Sequence, residues 1–168
     1  MNQKEIDVVC SAGTKLFAIG FIILAEMLFI SLAVWGGDGI NGYGGICAVL
    51  YAIGGIGVLY TMYMFRFSVR GHEIYGRKRT GKKYRFDISE ITKIYCEKGG
   101  GGDCTPYCDI WLEVYGKDII LKHTMKGFKQ FASYIIEMYE ANELENCKIS
   151  KTSLTLLKKV RRGKIKAN

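Results

Sequence analysis

The sequence predicts a membrane protein, with an N-terminal two-helix transmembrane hairpin followed by an α+β domain of short antiparallel strands and one closing C-terminal helix. Three observations predict it. Two apolar runs of 20 residues each, 16–35 and 46–65, fill most of the first 65 positions. Charge is split along the chain: residues 1–64 hold two basic and four acidic residues, and residues 65–168 hold the other 22 basic and 12 acidic ones. Beyond Phe65 the apolar period changes from helical to two, then returns to helical near Met125.

Each run is long enough to span. A helix rises about 1.5 Å per residue, so 20 residues cover the ~30 Å of a bilayer's hydrocarbon. The first run contains one carboxylate, Glu26, near its middle. It also contains twelve Leu, Ile, Phe or Val residues. Together these favour insertion by about 5 kcal/mol, against roughly 3 for one central charge. Ser31-Leu32-Ala33 resembles a signal-peptide cleavage site, but the apolar run exceeds the usual h-region of about 7–15 residues.

The loop 36–45 has no Lys or Arg and is glycine-rich, while every basic residue lies before the first run or after the second. The positive-inside rule therefore puts both termini in the cytoplasm, in a multi-pass protein of the cell membrane. Cys10, Cys96, Cys104, Cys108 and Cys147 then face reducing cytosol, where structural disulfides are not expected.

Matching the ends of the two runs in depth sets Glu26 level with Gly55. Ala48, Ala52 and Gly55 share one face of the second span, and such small residues let helices approach closely. A protonated Glu26 pressed on that face, with Tyr51 one turn outward, acts as packing or homo-oligomer contact. The other reading is a proton or ion site, since ionisable groups within membranes are commonly functional.

After the second run, Phe65, Phe67 and Val69 alternate with Arg66, Ser68 and Arg70. A turn at Gly71-His72 leads to a strand over 73–77, and the KRTGK turn leads to one over 83–88. Further strands are expected at 92–97, 107–115 and 118–122. Phe128, Phe131, Ala132, Ile135, Met138 and Tyr139 then recur at helical spacing, predicting a helix over 126–142.

FRFSVRGHEIYGRKRTGKKYRFDISEITKIYCEK and the later DIWLEVYGKDIILKHTMKGFKQFASYI carry a resemblance. The Gly71 turn, the run Phe86-Asp87-Ile88-Ser89-Glu90-Ile91, the segment from Trp111 to Val114 and the helix opening at Gly127-Phe128 are similar to bacterial pleckstrin-homology-like (PH-like) domains of small two-span membrane proteins. That resemblance implies a partly open antiparallel barrel over 66–142, plugged by its helix, serving as a binding scaffold with no reaction. Phosphoinositide-binding members of the wider superfamily use a long basic first loop; here it is only Arg70-Gly71-His72. The organisation expected is a cytoplasmic N-terminus 1–15, spans 16–35 and 46–65, the PH-like domain 66–142 and a basic tail 143–168.

Gly76–Lys83, GRKRTGKK, approaches a phosphate-binding loop, but Lys83 stands where the magnesium-ligating hydroxyl belongs and a strand follows instead of a helix. Its charge is the better signal. Arg77, Lys78, Arg79, Lys82, Lys83 and Arg85 surround one turn with no acid between Glu73 and Asp87. Near an anionic leaflet each such residue gains about 1 kcal/mol. In the tail, Lys158, Lys159, Arg161 and Arg162 accompany Leu154, Leu157 and Val160 on a short helix capped by Ser153, the composition of an interfacial basic helix.

Cys96 and Cys108 fall on the inward side of their strands as small core hydrophobes, so no metal site is expected from Cys96, Cys104 and Cys108. No nucleophile-base or paired-carboxylate pattern is present, and no cofactor is expected. Nucleic acid is disfavoured because the basic segments lack interleaved aromatics. The reading is a non-enzymatic membrane protein whose PH-like domain binds lipid headgroups or a protein partner. The alternative is a small oligomeric transporter or channel subunit using Glu26.

Overall fold

The computed structural model describes residues 5–35, 37–100 and 106–165, with the backbone alone over 37–42. The chain does not begin with the hairpin. Glu5–Cys10 form a strand, β1, whose Ile6 and Val8 are buried while Glu5 and Asp7 point outward. Two long helices follow, α1 (Ala12–Trp35) and α2 (Gly37–Met64). Their apolar stretches, 24 residues of mean hydropathy 2.5 and 22 residues of mean hydropathy 1.8, are long and apolar enough to cross a membrane. Phe17, Leu24 and Leu28 on α1 and Ile46, Leu50, Ile53 and Ile56 on α2 all lie exposed along their flanks. Contiguous apolar surface of that extent marks a site of contact with lipid or with other protein.

From α2 the chain returns directly beside β1. β2 (Arg66–Arg70) pairs antiparallel with β1, from Val9↔Arg66 to Glu5↔Arg70. The whole helical hairpin is thus an excursion between two neighbouring strands. β3 (Glu73–Arg77) and β4 (Lys83–Asp87) extend this first sheet, and β8 (Met125–Lys126) closes its other side, giving the order β4-β3-β2-β1-β8.

Asp87 then caps a short 3-10 turn, Ile88–Glu90, through a reciprocal capping box with Glu90. That turn swings the chain into the second sheet: β5 (Ile91–Gly99), β6 (Tyr107–Val114) and β7 (Lys117–Leu121), with β9 (Lys148–Ile149) parallel to β5, in the order β7-β6-β5-β9. Strict alternation along β6 buries Cys108, Ile110, Leu112 and Val114. Helix α3 (Phe128–Glu140) seals the core, with Phe131 edge-on to Phe67 at 4.9 Å. Gly127 opens it at φ +86°, and a Cβ there would sit 2.0 Å from the Asp7 carbonyl oxygen. β1 is therefore held by β2, by β8 and by the start of α3.

Four expectations are corrected. Within the expected N-terminal segment 1–15, residues 5–10 form an interior strand and α1 begins at Ala12, ahead of the expected span start at Leu16. The expected loop 36–45 is helical from Gly37, because α2 extends beyond its apolar part; Gly36 lies outside the described residues. The tail 143–168 is not a tail. It contributes β9 and α4 (Lys151–Arg161), whose Leu156, Leu157 and Val160 are buried, so the folded unit reaches past residue 142. And α4 is capped by Ser150, whose hydroxyl accepts from the Ser153 amide; Ser153 is buried and accepts from the Cys96 amide, while Leu154 is only half-buried.

A chain starting at Arg66 lacks an interior strand and should show no cooperative thermal transition by circular dichroism. A chain in which a two-residue Asn-Gly turn joins Cys10 to Phe65 keeps β1 beside β2 and should melt cooperatively.

Candidate membrane-facing basic site

The outer face of the first sheet is organised in rungs. Pairing across β1, β2, β3 and β4 aligns Val9, Arg66, Arg77 and Lys83 on the rung next to α2. The next outward-facing rung aligns Asp7, Ser68, Tyr75 and Arg85, and the last aligns Glu5, Arg70, Glu73 and Asp87. Every acid of this face lies on the two rungs farther from the helices. Arg66 reaches back to Asp7 at 3.3 Å, Arg70 pairs with Glu5 at 2.7 Å, and Arg85 pairs with Glu73. The Ser68 hydroxyl, followed by Arg66, holds the Asp7 carboxyl below its ordinary pKa; hydrogen bonds from Tyr75 and Arg85 do the same for Glu73. Arg77 has no carboxylate partner among the described residues; its guanidinium donates to the Met64 sulfur at 3.5 Å. Lys83 is exposed and likewise without one.

The β3–β4 turn closes through Lys78 N–H to the Lys82 carbonyl and Gly81 N–H to the Lys78 carbonyl, each 2.9 Å. Gly81 adopts φ +82°, and a Cβ on it would lie 3.4 Å from the Tyr60 hydroxyl. Tyr60 is one turn before the end of α2, so the β3–β4 turn reaches the side of that helix. At the same level the Lys15 ammonium of α1 sits 4.3 Å from the Tyr63 ring centroid. Sequence could place six cations around one hairpin; it could not show on which side of the sheet that hairpin lies.

Of the predicted surface residues, Arg77, Lys78, Arg79, Lys82 and Lys83 gather at this end, whereas Arg85 is one rung removed and neutralised by Glu73. Lys158, Lys159, Arg161 and Arg162 belong to the end of α4, which packs on α3 and β5, and Lys158 and Arg161 each lie 3.9 Å from Glu140.

Two glycines hold aromatic rings on this frame. Gly76 lies under its cross-strand partner Tyr84, and a Cβ would come within 2.0 Å of that ring. Tyr84 stacks on Phe86 at 5.8 Å, and burial pushes its phenol pKa up. Gly99 receives Tyr107 in the same way.

In the hairpin, Gly55 packs on Ile22 and Gly44 on Ala33. Continuing that register places Glu26 level with Tyr51 instead of Gly55, one turn from the expected match. The offset arises because α1 and α2 are joined nearer Trp35 than the ends of the apolar runs imply. Gly55 is buried and Ala48, Ala52 and Tyr51 are half-buried, with Phe29 and Tyr51 ring centroids 5.6 Å apart. One Glu26 carboxylate oxygen is buried with no hydrogen-bond partner among the described residues.

Elsewhere, Cys108 is fully buried and Cys96 half-buried beside it, and the hydrogen bond to Cys108 together with burial raises the Cys96 thiol. Burial pushes Cys147 up to about 11. No group of three His, Cys, Asp or Glu able to hold a metal occurs among the described residues; Cys104 lies outside them. His72 pairs with Glu143 at 3.0 Å and His123 with Asp109 at 2.8 Å. Trp111 is half-buried beneath Tyr95, with ring centroids 5.4 Å apart. Searches against family models, curated proteins and solved structures gave no match.

Gly76→Ala should destabilise the full chain in detergent by about 1–3 kcal/mol through overpacking against Tyr84. Most of that loss should disappear in a Tyr84→Ala background, as a double-mutant cycle by chemical denaturation would read.

Proposed function

We propose that the chain is a non-enzymatic integral membrane protein, with α1 and α2 spanning the cell membrane and both termini in the cytoplasm. Its cytoplasmic unit is a PH-like barrel held against the inner leaflet to bind lipid headgroups or a protein partner. Two sheets of mainly antiparallel strands closed by α3 support the PH-like reading. The observation that carries the proposal is the packing of the basic β3–β4 turn beside Tyr60, one turn inside the end of α2. With α2 embedded, Lys78, Arg79 and Lys82 stand at headgroup depth, where anionic lipid attracts each by about 1 kcal/mol. Tethering is then double: β1 enters the hairpin and β2 leaves it, so the barrel cannot swing on a single linker. A protein partner would have the outer face of β5–β7, with Tyr95, Trp111 and Ile120, as its surface.

A second reading has its own observation. The unpartnered Glu26 oxygen suits a proton or ion site in an oligomeric transporter or channel, with the barrel as its regulator. Proteoliposome flux abolished by Glu26→Gln would favour it; intact assembly and no flux with either chain would favour the tether.

The full chain should resist extraction by alkaline carbonate. A photoreactive amino acid replacing Thr80 should crosslink to lipid in nanodiscs, and the same residue replacing Ser89, at the far end of β4, should not. Equal crosslinking at both positions, or release by carbonate, would overturn the proposal.

A further inference from the structure

We infer that the groove between the end of α2 and the outer face of β2–β4 binds the phosphate of an anionic phospholipid, an inference that rests on the membrane embedding proposed above. The groove, about 490 Å³, is lined by Tyr63, Met64, Arg66, Arg77 and Lys83, and farther along the sheet by Ser68, Tyr75 and the Glu5-paired Arg70. That volume is typical of small-ligand clefts.

Charge geometry is the argument. Arg66, Arg77 and Lys83 are direct cross-strand neighbours on one rung. Facing side chains at such positions lie about 5 Å apart, and like charges there destabilise a sheet. The acids that could relieve them are already engaged one and two rungs away, Asp7 by Ser68 and Arg66, Glu73 by Tyr75 and Arg85, Glu5 by Arg70. Only Arg66 draws on one of them. A multivalent oxyanion seated between Arg77 and Lys83 converts the repulsion into charge-assisted hydrogen bonds, with the guanidinium offering a fork suited to phosphate.

The roof selects the source. Tyr63 and Met64 are the last turn of α2, continuous with a helix flank on which Ile53 and Ile56 are exposed. A phosphate attached to acyl chains gains that flank as well as the cations; inorganic phosphate gains the cations alone.

The test uses the full chain in neutral detergent, with phosphatidylglycerol, phosphatidylcholine or inorganic phosphate added at equal concentration. Native mass spectrometry counts bound lipid and thermal unfolding reads the linked stabilisation. Phosphatidylglycerol should be retained at one per chain and raise the melting midpoint, and the other two should do neither. Arg77→Gln with Lys83→Gln should weaken that retention at least about tenfold, as loss of charge-assisted bonds implies. Lys78→Gln with Lys82→Gln, the same charge change outside the groove, should weaken it less than about threefold, because a neutral micelle lacks the anionic leaflet that attracts those lysines and a single screened phosphate does not reach them. Should the groove pair fail to fold, Lys83→Gln against Lys82→Gln gives the same comparison. Without lipid, Lys83→Gln should melt no lower than the parent chain, because it relieves the rung. Equal loss from both pairs, equal retention of phosphatidylcholine, or stabilisation by inorganic phosphate would overturn the inference. Carbonate extraction of the Arg77→Gln, Lys83→Gln chain stays unchanged in either case, which separates failure of the groove from failure of embedding.

Discussion

The pairing of β1 with β2 is the constraint on which the rest depends. Five residue pairs, Glu5↔Arg70 to Val9↔Arg66, join strands separated in sequence by two long helices. Closing so long a loop costs entropy that grows only slowly with its length, and the hairpin's own packing shortens the effective loop. Once closed, β1 supplies Ile6 and Val8 to the core and the Asp7 carbonyl against which Gly127 seats the start of α3. Removing β1 would expose edges of β2 and β8 and unseat the helix that seals the core.

That same ladder sets the orientation of the charged face. β2 starts two residues after α2, so the Arg66 rung must lie at the helical end and the Glu5 rung at the other. Acids paired with Arg66, Arg70 and Arg85 occupy the far rungs, and the unneutralised cations Arg77 and Lys83 the near one. The polarity of the surface follows from strand register, with the β3–β4 turn carrying further cations up beside α2.

Local periodicity made much of the two sheets and of α3 legible. Strands at 73–77, 107–115 and 118–122 and a helix over 126–142 were readable because alternation and helical spacing are properties of short windows, and β3, β6, β7 and α3 fall there. β1 was not readable. Its alternation of Glu5, Ile6, Asp7 and Val8 is real, but six mixed residues ahead of an apolar run look like a helix leader until their partner, some sixty positions on, is known. The Asp87–Glu90 capping box was a sequence signal that could have marked the corner between the sheets. In α4 the amphipathic pattern was visible, but the choice of Leu156 over Leu154 as the buried position is made by α3, β5 and the seat of Ser153 on Cys96. Register inside the hairpin also escaped, since matching the ends of apolar runs ignores that α2 begins at Gly37.

Hydrogen exchange of the full chain in nanodiscs tests the central claim most directly. Amides of residues 5–10 should exchange as slowly as those of β2, opening only with the two-sheet unit as a whole. Exchange of that segment within seconds while β2 stays protected would mean that the N-terminal strand does not complete the sheet, and the double connection between hairpin and sheet would be wrong.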